Sequence, residues 1–293
     1  MLKKCMLLSI VVCLFAFYSL PVLAQEQAAM SPPKVLRIFR EDVKPGKGAA
    51  HEKNETAWAK AFAAGKYPAH SLAATSISGP SEAWFFEGHD SLASVERAEQ
   101  YIDKNAALRA EVERFAERDG ELLSRTSTIV ATFREDLSYR PNGVNIGQMR
   151  YFYVTTWRVR PGHNNDYYEA TKMIRDAHEK ANVPEHWAVF EVMLGMPRGT
   201  FLTIQPLKSL AEVDDFPQTH GKAFTDALGE EGQKKLGELI RSGLLTAETD
   251  ILAFSPSMSY VSKETAAADP AYWTPKPKPA AKAAAEGKET KKP

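Results

Sequence analysis

The sequence predicts an α+β fold in which a ferredoxin-like β-α-β-β-α-β unit of roughly a hundred residues occurs twice, the two antiparallel sheets packing face to face into a barrel within one chain. Three observations predict it. The chain matches itself at a nearly fixed offset, a Pro-Gly turn closes an aromatic and β-branched run at the same place in each copy, and the same succession of strand-like and helix-like segments follows each turn.

At an offset of 116 residues Val43, Pro45, Gly46, Ala61, Pro68, His70 and Gly79 recur as Val159, Pro161, Gly162, Ala177, Pro184, His186 and Gly195. These are seven identities in 37 positions, against roughly two from average composition. After Gly79 the offset becomes 118, so that Ser91-Leu92-Ala93 faces Ser209-Leu210-Ala211. It drifts again near the end, where Leu122-Leu123 faces Leu244-Leu245. Length changes confined to turns are what a structural duplication tolerates.

Each copy begins with a strand, residues 35–43 and 151–159, ended by Lys44-Pro45-Gly46 or Arg160-Pro161-Gly162. A helix follows, marked in the second copy by Tyr167, Ala170, Ile174, Ala177 and Ala181 and in the first by Trp58, Ala61 and Phe62, with Gly65 and Asn182 as stops. Two strands come next, 71–78 with 83–87 and 187–194 with 200–205, hinged at Gly79-Pro80 and at residues 195–199. Helical material then covers 92–121 and 210–244, and last strands are expected at 128–135 and 250–257. Such a sheet carries helices on one face, and its other face needs a cover. A homologous sheet in the same chain supplies one.

Strand, Val-Lys-Pro-Gly or Val-Arg-Pro-Gly, amphipathic helix, two strands, helical stretch and final strand together resemble the dimeric α+β barrel superfamily. That superfamily includes the antibiotic-biosynthesis monooxygenase-like and NIPSNAP-like families, and the likeness covers residues 34–261. It implies an interior able to hold aromatic molecules. No catalytic signature of any member is present, so no site residue carries over.

The resulting organisation is an export signal at 1–24, a linker at 25–33, a first repeat at 34–141, a linker at 142–148, a second repeat at 149–262 and a disordered Lys/Ala/Pro-rich tail at 263–293. Lys3 and Lys4 precede an apolar run from Cys5 to Leu20, and Val22-Leu23-Ala24 offers a cleavage site, which predicts a periplasmic or extracellular protein with no stable membrane insertion once cleaved. A retained anchor is the competing reading. Both cysteines, Cys5 and Cys13, fall in this segment, which excludes thiol chemistry and disulfides from the remainder. The 37 basic and 37 acidic residues balance, and the balance argues against a nucleic-acid partner. Six lysines from Lys276 onward stand against Glu286 and Glu289 and read as a solvated basic tail. Oligomeric state is not set by the sequence.

Strand alternation divides each first strand in two. Leu36, Ile38, Phe152 and Val154 are expected to face the helices. Arg37, Phe39, Glu41, Tyr151, Tyr153, Thr155 and Trp157 are expected to line a pocket between the sheets, joined by Trp187 and Glu191 from the next strand of the second copy. The competing reading is an Arg37–Glu41 ion pair at the seam of the sheets. His70 and His186, at equivalent positions, are further polar candidates, and duplication alone also accounts for them. His51-Glu52 and His178-Glu179 are adjacent pairs without the i, i+4 spacing of a zinc helix, so no metal is expected. Nucleotide-binding and serine-hydrolase motifs are absent, and no cofactor is expected.

Two functions follow. One is an exported protein that binds a small apolar or aromatic molecule between its sheets and transforms it without a cofactor, Arg37 orienting an anion and Glu41, Glu191 or a histidine moving a proton. The other is a non-catalytic structural or interaction protein whose barrel is filled.

Overall fold

The computed structural model describes residues 31–219 and 221–274. The expected signal, most of the first linker, His220 and the basic tail beyond 274 lie outside the described residues.

The first repeat runs β1 (Val35–Val43), α1 (Gly48–Gly65), β2 (Ser71–Ser76), β3 (Glu82–His89), α2 (Leu92–Lys104), α3 (Ala106–Leu122) and β4 (Leu123–Tyr139). The second repeats the order with β5 (Tyr151–Val159), α4 (Asn164–Ala181), β6 (Trp187–Leu194), β7 (Thr200–Leu207), α5 (Ala211–Thr219), α6 (Lys222–Gly243) and β8 (Leu244–Phe254). Gly46 and Gly162 hold φ of 76° and 87° in the matching Pro-Gly turns, a conformation side chains oppose, which explains why both turns end in glycine. The first helices stop where expected, with Lys66 and Asn182 left-handed just past their ends.

The eight strands close into one barrel in the order β1-β3-β2-β8-β5-β7-β6-β4. Each repeat contributes a four-stranded sheet, and the sheets are hydrogen-bonded edge to edge at β2–β8, with Thr75 opposite Ala253, and at β4–β6, with Phe133 opposite Phe190. Closure removes every exposed strand edge. β4 is longer than the sequence suggests because its first part pairs with β1 and its later part, after register shifts, with β6.

The faces of the strands are the reverse of the expectation. Leu36, Ile38, Phe152 and Val154 point into the barrel, where they join Trp84, Phe86, Ile129, Leu202 and Leu252 in one cluster drawn from both sheets. Ile38, Val154, Leu202 and Leu252 are wholly buried, and each contributes roughly 1.5–3 kcal/mol. The residues expected inside, from Arg37 to Trp157, point outward under the helices. The physical reason is that a closed sheet surrounds its interior on all sides and leaves no water to solvate a polar group, whereas a helical layer covers a sheet incompletely. The middle of the barrel is therefore filled. One end is closed by Arg40 and Glu82, paired at 2.7 Å with the guanidinium over the Trp84 ring.

The chain does not become a tail at 263. Lys263–Ala268 and Pro270–Trp273 form two short helices, α7 and α8. Trp273 is buried in the barrel cluster, and its indole N–H donates to the Gly147 carbonyl at 2.7 Å. Tyr272 donates to the Phe254 carbonyl at 3.0 Å, and Arg150 pairs with Asp269. The Ala-rich composition of this stretch concealed two aromatic anchors.

Candidate functional site

Equivalent positions in the two repeats carry opposite chemistry. The strand registers fix the equivalence: Arg37 lies opposite Glu87 and Val130, as Tyr153 lies opposite Gln205 and Ile251.

Under the first repeat's helices the interface is charged. Arg37, buried, pairs with Glu87 at 2.6 Å and with Glu99, and also donates to the Tyr67 hydroxyl at 3.2 Å. Burial opposes its charge, and Glu87, Glu99 and Tyr67 outweigh burial and hold the guanidinium above its usual pKa. Tyr67 is itself pushed up, by burial and then by Glu87. Phe39 lies beneath the Arg37 guanidinium at 4.7 Å. Glu41 pairs with His51 at 2.7 Å, so the Arg37–Glu41 pair does not form. Glu55 lies one helical turn beyond His51, with a carboxylate oxygen 4.0 Å from His51 Nε2. Asp119 on α3 accepts from Asn54 at 2.7 Å and from the Trp58 indole at 3.1 Å. Burial and the neighbouring Glu41 and Asp119 push the Glu55 carboxyl up to about 10. Burial also raises Glu41, partly offset by His51.

Under the second repeat's helices the corresponding positions are Trp157 for Glu41, Tyr167 for His51, Ala170 for Asn54, Thr171 for Glu55 and Ile240 for Asp119. The last match is set by the structure, which pairs Leu123 with Leu244 and so shifts the Leu122/Leu244 alignment of the sequence by one: each lies opposite the last residue of its repeat's first strand, and Leu123 caps onto the Asp119 carbonyl as Leu244 does onto that of Ile240. Charge is replaced by a cavity of about 550 Å³ between the sheet and helices α4, α5 and α6. Tyr153, Thr155, Trp157 and Trp187, four of the residues singled out in the sequence, line it, together with Tyr167, Ile174, Phe216 and Ile240. Phe216 meets the Tyr153 ring edge-on at 5.3 Å. The polar groups of the wall are mostly engaged: the Trp157 indole donates to Thr203 at 2.9 Å, Thr155 bonds Thr249 at 3.0 Å, and His178 Nδ1 donates to the Ile174 carbonyl at 2.8 Å with Nε2 3.8 Å from Glu185. The Tyr167 hydroxyl is the exception. It is buried, with the Thr171 and Thr203 hydroxyls facing it but none in hydrogen-bonding geometry; burial raises its pKa, and the two hydroxyls offset part of the rise.

The remaining candidates lie apart. Glu191 pairs with Arg134 at 2.5 Å outside the cavity lining, and Tyr151 sits near Tyr272. His70 and His186 come from different repeats to the open end of the barrel, where a second cavity of about 630 Å³ is bounded by Leu36, Leu72, Phe86 and Phe190. His186 Nδ1 donates to the Arg140 carbonyl at 3.1 Å, and His70 lies against the Tyr260 ring, its pKa lowered by burial. Tyr167, His178, Glu185 and Phe216 were not among the pocket residues expected from the sequence. For Tyr167 and His178 the signal was there, since Tyr167 is one of the residues that mark the helix face and His178 lies four positions beyond Ile174 and eight beyond Ala170 on that face.

No family model matches the chain, and no curated protein matches it. Solved structures do. A provisionally assigned monooxygenase from Fusobacterium nucleatum subsp. nucleatum aligns over 77% of this chain and 94% of its own at 12% identity, with a TM-score of 0.50. An anthrone oxidase-like protein aligns over 80% of this chain and 97% of its own at 15% identity, with a TM-score of 0.53. The likeness shows the fold alone: a closed eight-stranded α+β barrel, here with both halves in one polypeptide.

Proposed function

We propose that this is an exported protein that binds a small aromatic molecule bearing a hydrogen-bonding oxygen, and that it does so under the helices of the second repeat. The observation that carries the reading is the Tyr167 hydroxyl, buried without a hydrogen-bond partner in the wall of a largely aromatic and aliphatic cavity. A volume of about 550 Å³ is that of a small-molecule site. Burying a hydroxyl unsatisfied costs roughly 1–3 kcal/mol, and a ligand oxygen at bonding distance would recover it. The duplication supplies a comparison within the molecule, because the same space in the first repeat is occupied by Glu41, His51, Asn54, Glu55 and Asp119. Chemistry on the bound molecule would need a proton acceptor, and the lining supplies one in the His178–Glu185 pair. Export rests on the charged and apolar character of residues 1–24.

The test is a fluorescence titration with 2-naphthol. Ala170→Leu fills the cavity and is expected to weaken binding more than about tenfold, while Tyr167→Phe weakens it about three- to tenfold, the worth of one hydrogen bond. Ala188→Leu, in the barrel mouth, leaves the affinity unchanged. Binding indifferent to Ala170→Leu and Tyr167→Phe, or lost in Ala188→Leu, refutes the assignment.

A further inference from the structure

We propose that Glu41, His51 and Glu55 form a divalent transition-metal site, of the class that takes zinc, between β1 and α1 of the first repeat. His51 and Glu55 are four residues apart on α1 and so share one face of the helix, and Glu41 reaches them from the strand beneath. One ligand atom from each of the three lies within 4.8 Å of the others. His51 Nε2 is 2.7 Å from a Glu41 oxygen and 4.0 Å from Glu55 Oε1. Donors around a tetrahedral ion with bonds near 2.1 Å lie about 3.4 Å apart. The two separations fall on either side of that value, and small side-chain rotations reach it.

A second observation points to a cation. Glu55 is 5% exposed, and its Oε1, the oxygen turned toward His51, makes no hydrogen bond. Buried carboxylate oxygens take a donor or a metal. Asp119 bears on both Glu55 and Glu41 from α3, so three carboxyl groups gather where a single imidazole is the basic partner, and among the described residues no lysine or arginine pairs with any of the three. A divalent ion supplies the missing positive charge, and a mixed imidazole and carboxylate set suits zinc, manganese or cobalt. Asn54 and Trp58 hold Asp119 in place. Because the second repeat has Trp157, Tyr167 and Thr171 at the ligand positions, the chain should hold one such ion and not two.

The purified chain, stripped with a chelator, is titrated with Zn²⁺ by calorimetry and with Co²⁺ by visible absorption. One equivalent is expected to bind, and a hundredfold excess over Kd is expected to raise Tm by about 5–10 °C. Loss of a ligand should weaken binding more than about a hundredfold, in both His51→Gln and Glu55→Gln. His163→Gln, at a half-buried His–Asp pair of the second repeat, leaves the site intact. Glutamine matches glutamate in size, so Glu55→Gln decides the matter alone if His51→Gln fails to fold. Absence of saturable binding by the unaltered chain, or binding that persists in Glu55→Gln, overturns the proposal.

Discussion

In the metal-free chain the Glu55→Gln substitution should raise stability at neutral and alkaline pH and leave it unchanged near pH 4. The Glu55 carboxyl is pushed up to about 10 in the folded chain, from 4.5, by burial and then by Glu41 and Asp119. Between those limits the native state holds a proton that the unfolded chain has released, so stability falls as pH rises through the window. Each pH unit is worth about 1.36 kcal/mol, so the loss at pH 7 has a ceiling of about 3 kcal/mol. Burial raises Glu41 as well, and screening relaxes the site, which brings the expected gain for glutamine to roughly 1–3 kcal/mol at pH 7. The amide keeps the shape, carries no charge and can donate to Asp119. Urea unfolding with chelator present, at pH 4.5, 7 and 8.5, measures the difference. Equal stabilities of the two chains at all three values, or a variant weaker at pH 8.5, would refute the electrostatic reading of this cluster.

Arg37→Leu should cost about 3–5 kcal/mol, because Glu87 is left buried beside His89 without its guanidinium; Arg109→Leu, at an exposed pair, should change stability within about 0.5 kcal/mol, both read from denaturant midpoints. Trp273→Ala should cost about 3–5 kcal/mol, and limited proteolysis should then cut between Val261 and Trp273, where the intact chain resists. The amino-terminal segment should direct export, so cell fractionation should recover a chain beginning at Gln25 outside the cytoplasm; replacing Leu7, Leu8 and Val11 with aspartate should retain it inside.

Element order was legible because duplication prints each signal twice. Pro45-Gly46 and Pro161-Gly162 mark the same turn, and Gly79 and Gly195 mark the same hairpin, with φ of 72° and 87°. At Gly195 a side chain would also meet the Thr128 carbonyl across the β4–β6 seam, a close approach no local pattern reveals. Alternation correctly grouped Arg37 with Glu41 and Tyr153 with Trp157, but period two separates the faces of a strand without saying which is inside. Ile38 and Val154 fit a helix interface as well as a barrel interior, and closure of the sheet decided between them. The candidate site was legible in part for the same reason: Tyr153, Thr155, Trp157 and Trp187 do share a cavity, on the opposite side of the sheet. Glu55 escaped notice because its partner Glu41 lies on another element, and their proximity is a product of the fold.

Diffraction from crystals soaked in a brominated naphthol tests the ligand site most directly, through the anomalous signal of bromine. A peak is expected among Trp157, Tyr167 and Phe216, with the ligand oxygen at hydrogen-bonding distance from the Tyr167 hydroxyl. Density confined to the barrel mouth between His70 and His186, or no bound bromine at saturating concentration, would contradict it.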